Sequence, residues 1–355
     1  MTAVRSDDAW LEVCRAAAAK LVSAAQRAHG REASGLKIFL GVNFFYWHIA
    51  QFERDQNPAP AFIDLCKRAV DQFDSLRTMT AATADQLAIE PSLAGEAASL
   101  GDVYSDVYER LTDEAYFSEG PLVLRSRLEV NGIAPEDFFG GKIVLDAGCG
   151  GGRYTHAIAS LGAGRVIGVD LGEGNIRFAR AQAAKSPVGA KLTYSVGSVL
   201  DLPVDDASVD LVWCNSVAHV TGNQRKCLTE LNRVLKPGGI LFYYVNGRFG
   251  LFQILLETLR GLVHGVPEKL VAKMLRLCGV DAGRISWVVA CTFAPYEFLP
   301  RTAVEGLLAE CGFTDCRLLS RGHSYDFSER ISRGEPYAQM KFGEGQLRYV
   351  AMKGC

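Results

Sequence analysis

The chain has 355 residues, 38 basic against 40 acidic side chains and a formal net charge of -2. With a pI near 6.3 and no dense basic run, a nucleic-acid substrate is disfavoured. The longest apolar patch near the N-terminus, Ile38 to Ala50, is broken by Asn43 and His48 and is shorter than the ~20 residues a bilayer requires, so no membrane span is expected. Ten cysteines without a C-x-x-C pair or a signal peptide are expected as reduced thiols of a cytoplasmic protein.

Residues 1–100 read as a helical region of three or four helices, among them Trp10 to His29, Leu36 to Arg54 and Pro60 to Leu76, punctuated by Pro58, Pro60 and Pro91. The second carries Phe39, Phe44, Phe45, Tyr46, Trp47 and Phe52, expected as core or as the face of a homodimer rather than as a substrate wall. Residues 101–140 form a lid or linker, with Tyr104, Tyr108, Tyr116 and Phe117 in the segment Tyr104 to Leu128.

The segment 141–355 is expected as one α/β domain. Its first strand, Ile143 to Asp146, opens into Gly148-Cys149-Gly150-Gly151-Gly152, a loop that admits a ligand close to the backbone. A dinucleotide fingerprint wants a third glycine, which falls on Arg153, or on Thr155 if the count starts at Gly150. A second strand ends in Asp170, placed to accept the hydroxyl protons of a ribose. A third, Leu192 to Val196, precedes Ser198 and Val199, and a fourth, Val209 to Cys214, precedes Asn215 and His219. A helix through Leu228 to Leu235 is stopped by Lys236-Pro237-Gly238-Gly239 before a fifth strand, Ile240 to Val245. Glu230 and Arg233 read as a structural pair on that helix.

The pattern Asp146-x-Gly148-x-Gly150-x-Gly152, followed by Asp170, Ser198-Val199 and the Leu211 to Gly239 segment, resembles class I S-adenosylmethionine (SAM)-dependent methyltransferases. Among them it most resembles the small-molecule branch of sterol, tocopherol and glycine-betaine enzymes. The likeness covers about residues 141–246, with 303–353 fitting more loosely. It implies a Rossmann-like, seven-stranded sheet with helices on both faces, SAM as cofactor and S-adenosylhomocysteine as product. It also implies a cofactor set of Asp146 facing the methionine part, Gly148, Gly150 and Gly152, Asp170 on the ribose, Ser198 and Val199 beside the adenine, and Asn215. The segment leading into the first strand folds over the cofactor in related enzymes, which makes Tyr116 and Phe117 candidate lid residues, the alternative being an ordinary packing helix.

A helical insertion, 247–300, with apolar spacing at Leu251, Ile254, Leu255, Leu259 and Leu262, is expected as a substrate cap. The core resumes with a helix, Thr302 to Cys311, and strands at Cys316 to Ser320 and Leu347 to Met352, separated by a long polar connection, Arg321 to Gly345. His219 is the first candidate base, against a structural histidine that holds the fourth-strand loop. His323 and Tyr325 are reserve candidates for the substrate site. Asn215 stands where sterol and tocopherol enzymes tend to carry a glutamate, which lowers the case for alkene methylation. The expected acceptor is a hydroxyl of a small secondary metabolite, with carbon and nitrogen acceptors open and a non-catalytic SAM-binding protein as the reading from another class. No metal site is expected.

Overall fold

The apolar runs that follow residue 142 pair into a single seven-stranded sheet in the computed structural model, which describes residues 6–83, 112–248, 250–280, 285, 289 and 292–354. The strands are β1 (Ile143–Ala147), β2 (Arg165–Asp170), β3 (Leu192–Val196), β4 (Val209–Asn215), β5 (Leu235–Asn246), β6 (Phe313–Leu318) and β7 (Gln346–Lys353). Their order is β3-β2-β1-β4-β5-β7-β6. The first five run parallel, and β7 lies antiparallel to both β5 and β6. Strand order reverses between β1 and β4, and in open α/β sheets ligands bind at the carboxyl ends beside such a reversal.

Both faces of the sheet are covered, which is why its inner strands are nearly continuous apolar runs. One face buries Leu145, Val212, Leu228, Leu231, Leu241 and Tyr349 against the helices Gln224–Val234 and Arg301–Glu310. The other buries Val144, Ile158, Trp213 and Phe242 against Gly120–Glu129 and Arg153–Ser160. Trp213 and Phe242 are register partners on β4 and β5 and stack with ring centroids 3.6 Å apart. The helix Gln224–Val234 starts where the Asn223 side chain accepts from the Lys226 amide at 2.9 Å, a cap that contributes about 1 kcal/mol.

Three boundaries differ from the sequence reading. Strand β5 begins at Leu235, so Lys236 to Gly239 lies in the strand, beside an irregularity in its pairing with Val209 and Leu211. Strand β6 comes earlier than expected, because it is an edge strand with exposed positions and a bulge at Asp315, whose φ is +49°, so it lacks an alternating apolar signal. The connection from Arg321 to Gly345 holds two short helices, Phe327–Ser332 and Ala338–Phe342.

The chain divides into two compact units. The sheet unit takes the described residues of 99–248, 294–334 and 344–355; the other takes those of 1–98, 249–293 and 335–343. The helical unit therefore combines the N-terminal region with the insertion, which the sequence reading had kept apart. Among the described residues its helices include Asp7–Arg27, Arg31–Phe52, Ala59–Thr83, Leu251–Leu262, Glu268–Leu277 and Ala338–Phe342. The aromatic helix spends its rings inside this unit. Phe44 and Trp47 meet Phe62 at 5.9 and 5.5 Å, and Phe52 meets Phe342 at 5.6 Å. Phe39 and Tyr46 stay exposed. Tyr104 and Tyr108 lie outside the described residues. No helix among the described residues is long and apolar enough to cross a membrane.

Candidate functional site

Strand β1 ends at Ala147 and the chain turns at Gly148, whose φ is +79°. A side chain there would also collide with Val217 in the β4 exit, its Cβ falling 2.4 Å from Cγ2. Glycine is thus required twice over, by backbone conformation and by close packing across the strand-order reversal. The amides of Gly148 and Cys149 both donate to the Val169 carbonyl, at 2.8 and 3.0 Å, which ties the loop to the end of β2. Gly152, at φ +82°, faces the hydroxyls of Tyr194 and Tyr116, and a Cβ would fall under 3 Å from each.

Asp170 closes this loop. Its Oδ2 accepts from the Gly150 amide at 2.9 Å, while Oδ1 accepts from the Gly172 amide at 2.8 Å and the Asn175 side chain at 2.9 Å. Of the roughly four acceptor positions of a carboxylate, three are in use and one remains for a ligand hydroxyl. Leu171, beside it, is 65% exposed. Asp146 is buried, with Oδ2 accepting from Thr155 Oγ1 at 2.7 Å, and burial pushes its carboxyl up to about 7. The donors named to these two carboxylates, Thr155, Gly150, Gly172 and Asn175, are all neutral. Two acids at neighbouring strand ends, held by neutral donors, suit a ligand that carries a cationic sulfonium and an ammonium group beside a ribose.

The remaining residues separate by burial. Tyr116 is buried beneath the loop, and its hydroxyl donates to the Gly151 carbonyl at 2.9 Å, so it serves as a strut of the loop. Phe117 packs on the His156 ring at 5.0 Å. Ser198 accepts twice within its own turn, at Oγ from the Leu200 amide and at its carbonyl from the Asp201 amide, both at 3.1 Å, and the Val199 side chain lies in the core. Asn215 is half-buried at the end of β4, in register with Tyr244 on β5. Ser216 follows in a left-handed conformation, φ +65°, with its amide on the Tyr244 carbonyl at 3.1 Å.

His219 is buried, and burial pushes its imidazole down to about 3. Its Nδ1 has no hydrogen-bond partner, and its ring packs on Tyr296 at 4.5 Å. A buried imidazole held neutral is a poor proton acceptor, which favours the structural side of the alternative stated above. His323 and Tyr325 pack together at 4.2 Å on the loop after β6, with Tyr325 exposed.

Two groups were invisible in the sequence. Arg127, Asp326 and Arg348 form a buried ionic cluster, joined by Tyr154 through the Arg127 Nη1 bond of 2.8 Å. Tyr244 Oη donates to Asn246 Oδ1 at 3.0 Å, and Asn246 Nδ2 donates to Tyr296 Oη. Asn246 leaves its strand as Asn215 does, and that repetition was the available signal. Glu230 and Arg233 are a structural pair: together they hold the backbone of Leu202, Glu230 through its amide and Arg233 through its carbonyl.

The strand order, the glycine loop and the acid after β2 define a class I SAM-dependent methyltransferase. Residues 145–243 match the family described as "Methyltransferase domain". The chain is 32% identical over 204 residues to the demethylmenaquinone methyltransferase of Symbiobacterium thermophilum, which covers 54% of this chain and 76% of that protein. The chain belongs to this family, and its cofactor is SAM. It is 36% identical over 104 residues to the ubiquinone biosynthesis O-methyltransferase of Idiomarina loihiensis, covering 29% of this chain and 42% of that one. With the 27-O-demethylrifamycin SV methyltransferase of Amycolatopsis mediterranei it shares 31% identity over 101 residues, 28% of this chain and 37% of that protein. The chain thus spans less than half the length of these last two. Among solved structures, a geranyl diphosphate methyltransferase in complex with SAM aligns over 74% of this chain and 94% of its own, at 16% identity and a TM-score of 0.42.

Proposed function

We propose that this methyltransferase acts on a hydroxyl oxygen of a small secondary metabolite. The observation that carries the reading is the rim of neutral polar side chains where β4 and β5 end: Asn215, Tyr244, Asn246 and Tyr296, all half-buried. Hydrogen-bond donors and acceptors without a carboxylate suit a hydroxyl, and the Tyr244 face is already taken by the Arg348 guanidinium at 4.9 Å. When bound, SAM supplies an already activated methyl on a sulfonium. The chain then has to hold the acceptor oxygen in line, exclude water and let one proton leave.

Carbon methylation is the second reading, favoured by the extent of the match to the demethylmenaquinone enzyme. A hydroquinone offers both an oxygen and a ring carbon to the same methyl. The cytoplasm is the proposed location, since the eight described cysteines are all free. Self-association through the N-terminal helices would rest on Phe39 and Tyr46, the aromatic side chains that helix leaves exposed.

Methyl-labelled SAM offered with catechol, menadiol and phenylethylamine in parallel tests the reading. Label in an ether oxygen of the first two supports it. Label on the amine, or on the menadiol ring, would replace it with the corresponding alternative.

A further inference from the structure

Arg153, Tyr154 and Thr155 open the helix Arg153–Ser160 directly after the glycine loop, and two of the three side chains are engaged. Tyr154 Oη accepts from Arg127 Nη1 at 2.8 Å, and Thr155 Oγ1 donates to Asp146 Oδ2 at 2.7 Å. Arg153 is different. Its Nε is buried and has no hydrogen-bond partner among the described residues. Its ion pair with the exposed Glu119 is long, Nη2 to Oε2 at 3.5 Å. The stem is nevertheless held in place, because it packs on Gly120, where an added Cβ would fall 3.3 Å from Cγ and 3.4 Å from Nε. The side chain as a whole is 28% exposed, so an anion can reach it. A positioned guanidinium with an unpartnered Nε and one long ion pair is ready for a carboxylate from outside the chain.

Its place in the site is fixed by the chain itself. Arg153 follows Gly152, the last glycine of the loop whose Gly150 amide donates to Asp170, and it shares a helical turn with Thr155, which holds Asp146. The two acids answer the sulfonium and ammonium of SAM, and neither can answer its carboxylate. Nearby arginines have other partners: Arg127 is bound to Asp326, and Arg180 donates to the Tyr194 carbonyl at 2.7 Å.

We propose that Arg153 anchors the cofactor through the carboxylate of its methionine part, the guanidinium exchanging its loose contact with Glu119 for a charge-assisted one. Glu119 is then a competitor for the guanidinium, and its displacement costs little because an exposed ion pair contributes little. The residues around the loop thereby meet every charge of the cofactor, the cations with Asp146 and Asp170 and the anion with Arg153. This holds whichever atom of the acceptor receives the methyl.

The test is calorimetric titration of the full chain with two ligands. One is S-adenosylhomocysteine; the other is S-adenosyl-3-thiopropylamine, which keeps the adenosine, the sulfur and the ammonium and lacks only the carboxylate. Wild type is expected to prefer the first by about ten-fold or more. Arg153→Gln should lose about that factor for S-adenosylhomocysteine and nothing for the decarboxylated ligand, so that the preference disappears. Arg153→Lys, which keeps the charge but not the planar fork, should show a smaller preference than wild type. Glu119→Gln should bind S-adenosylhomocysteine at least as tightly as wild type. Thermal melting reports whether each variant folds, and the wild-type preference is read without any substitution. Equal affinity of wild type for the two ligands would overturn the proposal, as would unchanged S-adenosylhomocysteine affinity in Arg153→Gln. Equal losses for both ligands in Arg153→Gln would make Arg153 a strut of the loop and not an anchor, which also overturns it. So would weaker binding by Glu119→Gln, since the ion pair and not the guanidinium would then be what the site needs.

Discussion

Arg127 grips Asp326 with two parallel hydrogen bonds, Nε to Oδ2 at 2.8 Å and Nη2 to Oδ1 at 2.7 Å, across 199 residues of sequence. Arg348 Nη2 lies 3.1 Å from the same carboxylate but off the hydrogen-bonding direction, while its Nη1 donates to Ser328 Oγ at 2.9 Å. One buried acid thus serves two buried guanidinium groups, and the arginines hold its carboxyl below the usual range against the effect of burial. The arrangement ties the helix before β1 to the connection before β7.

Removing the acid alone should therefore be severe. Asp326→Ala leaves two guanidinium groups without their carboxylate and is expected to cost about 3–5 kcal/mol in urea denaturation. The triple variant Arg127→Met, Asp326→Leu, Arg348→Met, which leaves no guanidinium of the cluster unpaired, should cost less than Asp326→Ala. A triple variant less stable than the single one would show that the cluster is a net stabiliser and not a mutual compensation.

Gly148 offers a second check on the packing account. Gly148→Ala must adopt φ near +79° and meet Val217, with the backbone alone costing about 1–3 kcal/mol. Val217→Ala in the same chain should restore part of the melting temperature by removing the collision. No restoration would mean that the backbone strain is the whole effect.

Asp170→Ala is expected to weaken S-adenosylhomocysteine binding by more than about ten-fold in calorimetry. The single acceptor position left on Asp170 means that part of this loss comes from the loop itself, whose Gly150 amide loses its partner. Unchanged affinity would remove Asp170 from the site.

Two buried groups give opposite pH dependences in the ligand-free protein. Asp146, raised to about 7, keeps in the native state a proton that the unfolded chain releases near 4, so its contribution makes stability fall as pH rises between about 4 and 7. His219, lowered to about 3, contributes stability that is complete above about 6.5 and is lost as pH falls toward 3. Between about pH 4 and 6.5 the two slopes oppose each other. Urea midpoints of Asp146→Asn should fall more steeply than wild type on acidification, and those of His219→Phe less steeply than wild type. Parallel curves for all three proteins would show that neither group titrates as its burial implies.

Much of the sheet was legible because parallel strands covered on both faces are short apolar runs punctuated by Gly and Asp, as at Leu145, Val169 and Val212. Strand β6 was not, because an exposed edge imposes no such pattern. Within the site, Gly148, Gly150 and Asp170 could be read because local backbone geometry dictates them. Arg127, Asp326 and Arg348 could not, since their meaning arises only when distant segments meet. Tyr296 was hidden for the same reason: its partner Asn246 is 50 residues away in the chain.

The identity of the atom that receives the methyl tests the account most directly. Full-length protein incubated with carbon-13 methyl-labelled SAM and a fractionated small-metabolite extract yields labelled products, in which mass spectrometry and NMR correlation identify the atom bonded to the new methyl. The account predicts a methyl ether. Label bonded to carbon or nitrogen, or no transfer by protein that binds S-adenosylhomocysteine, would contradict it.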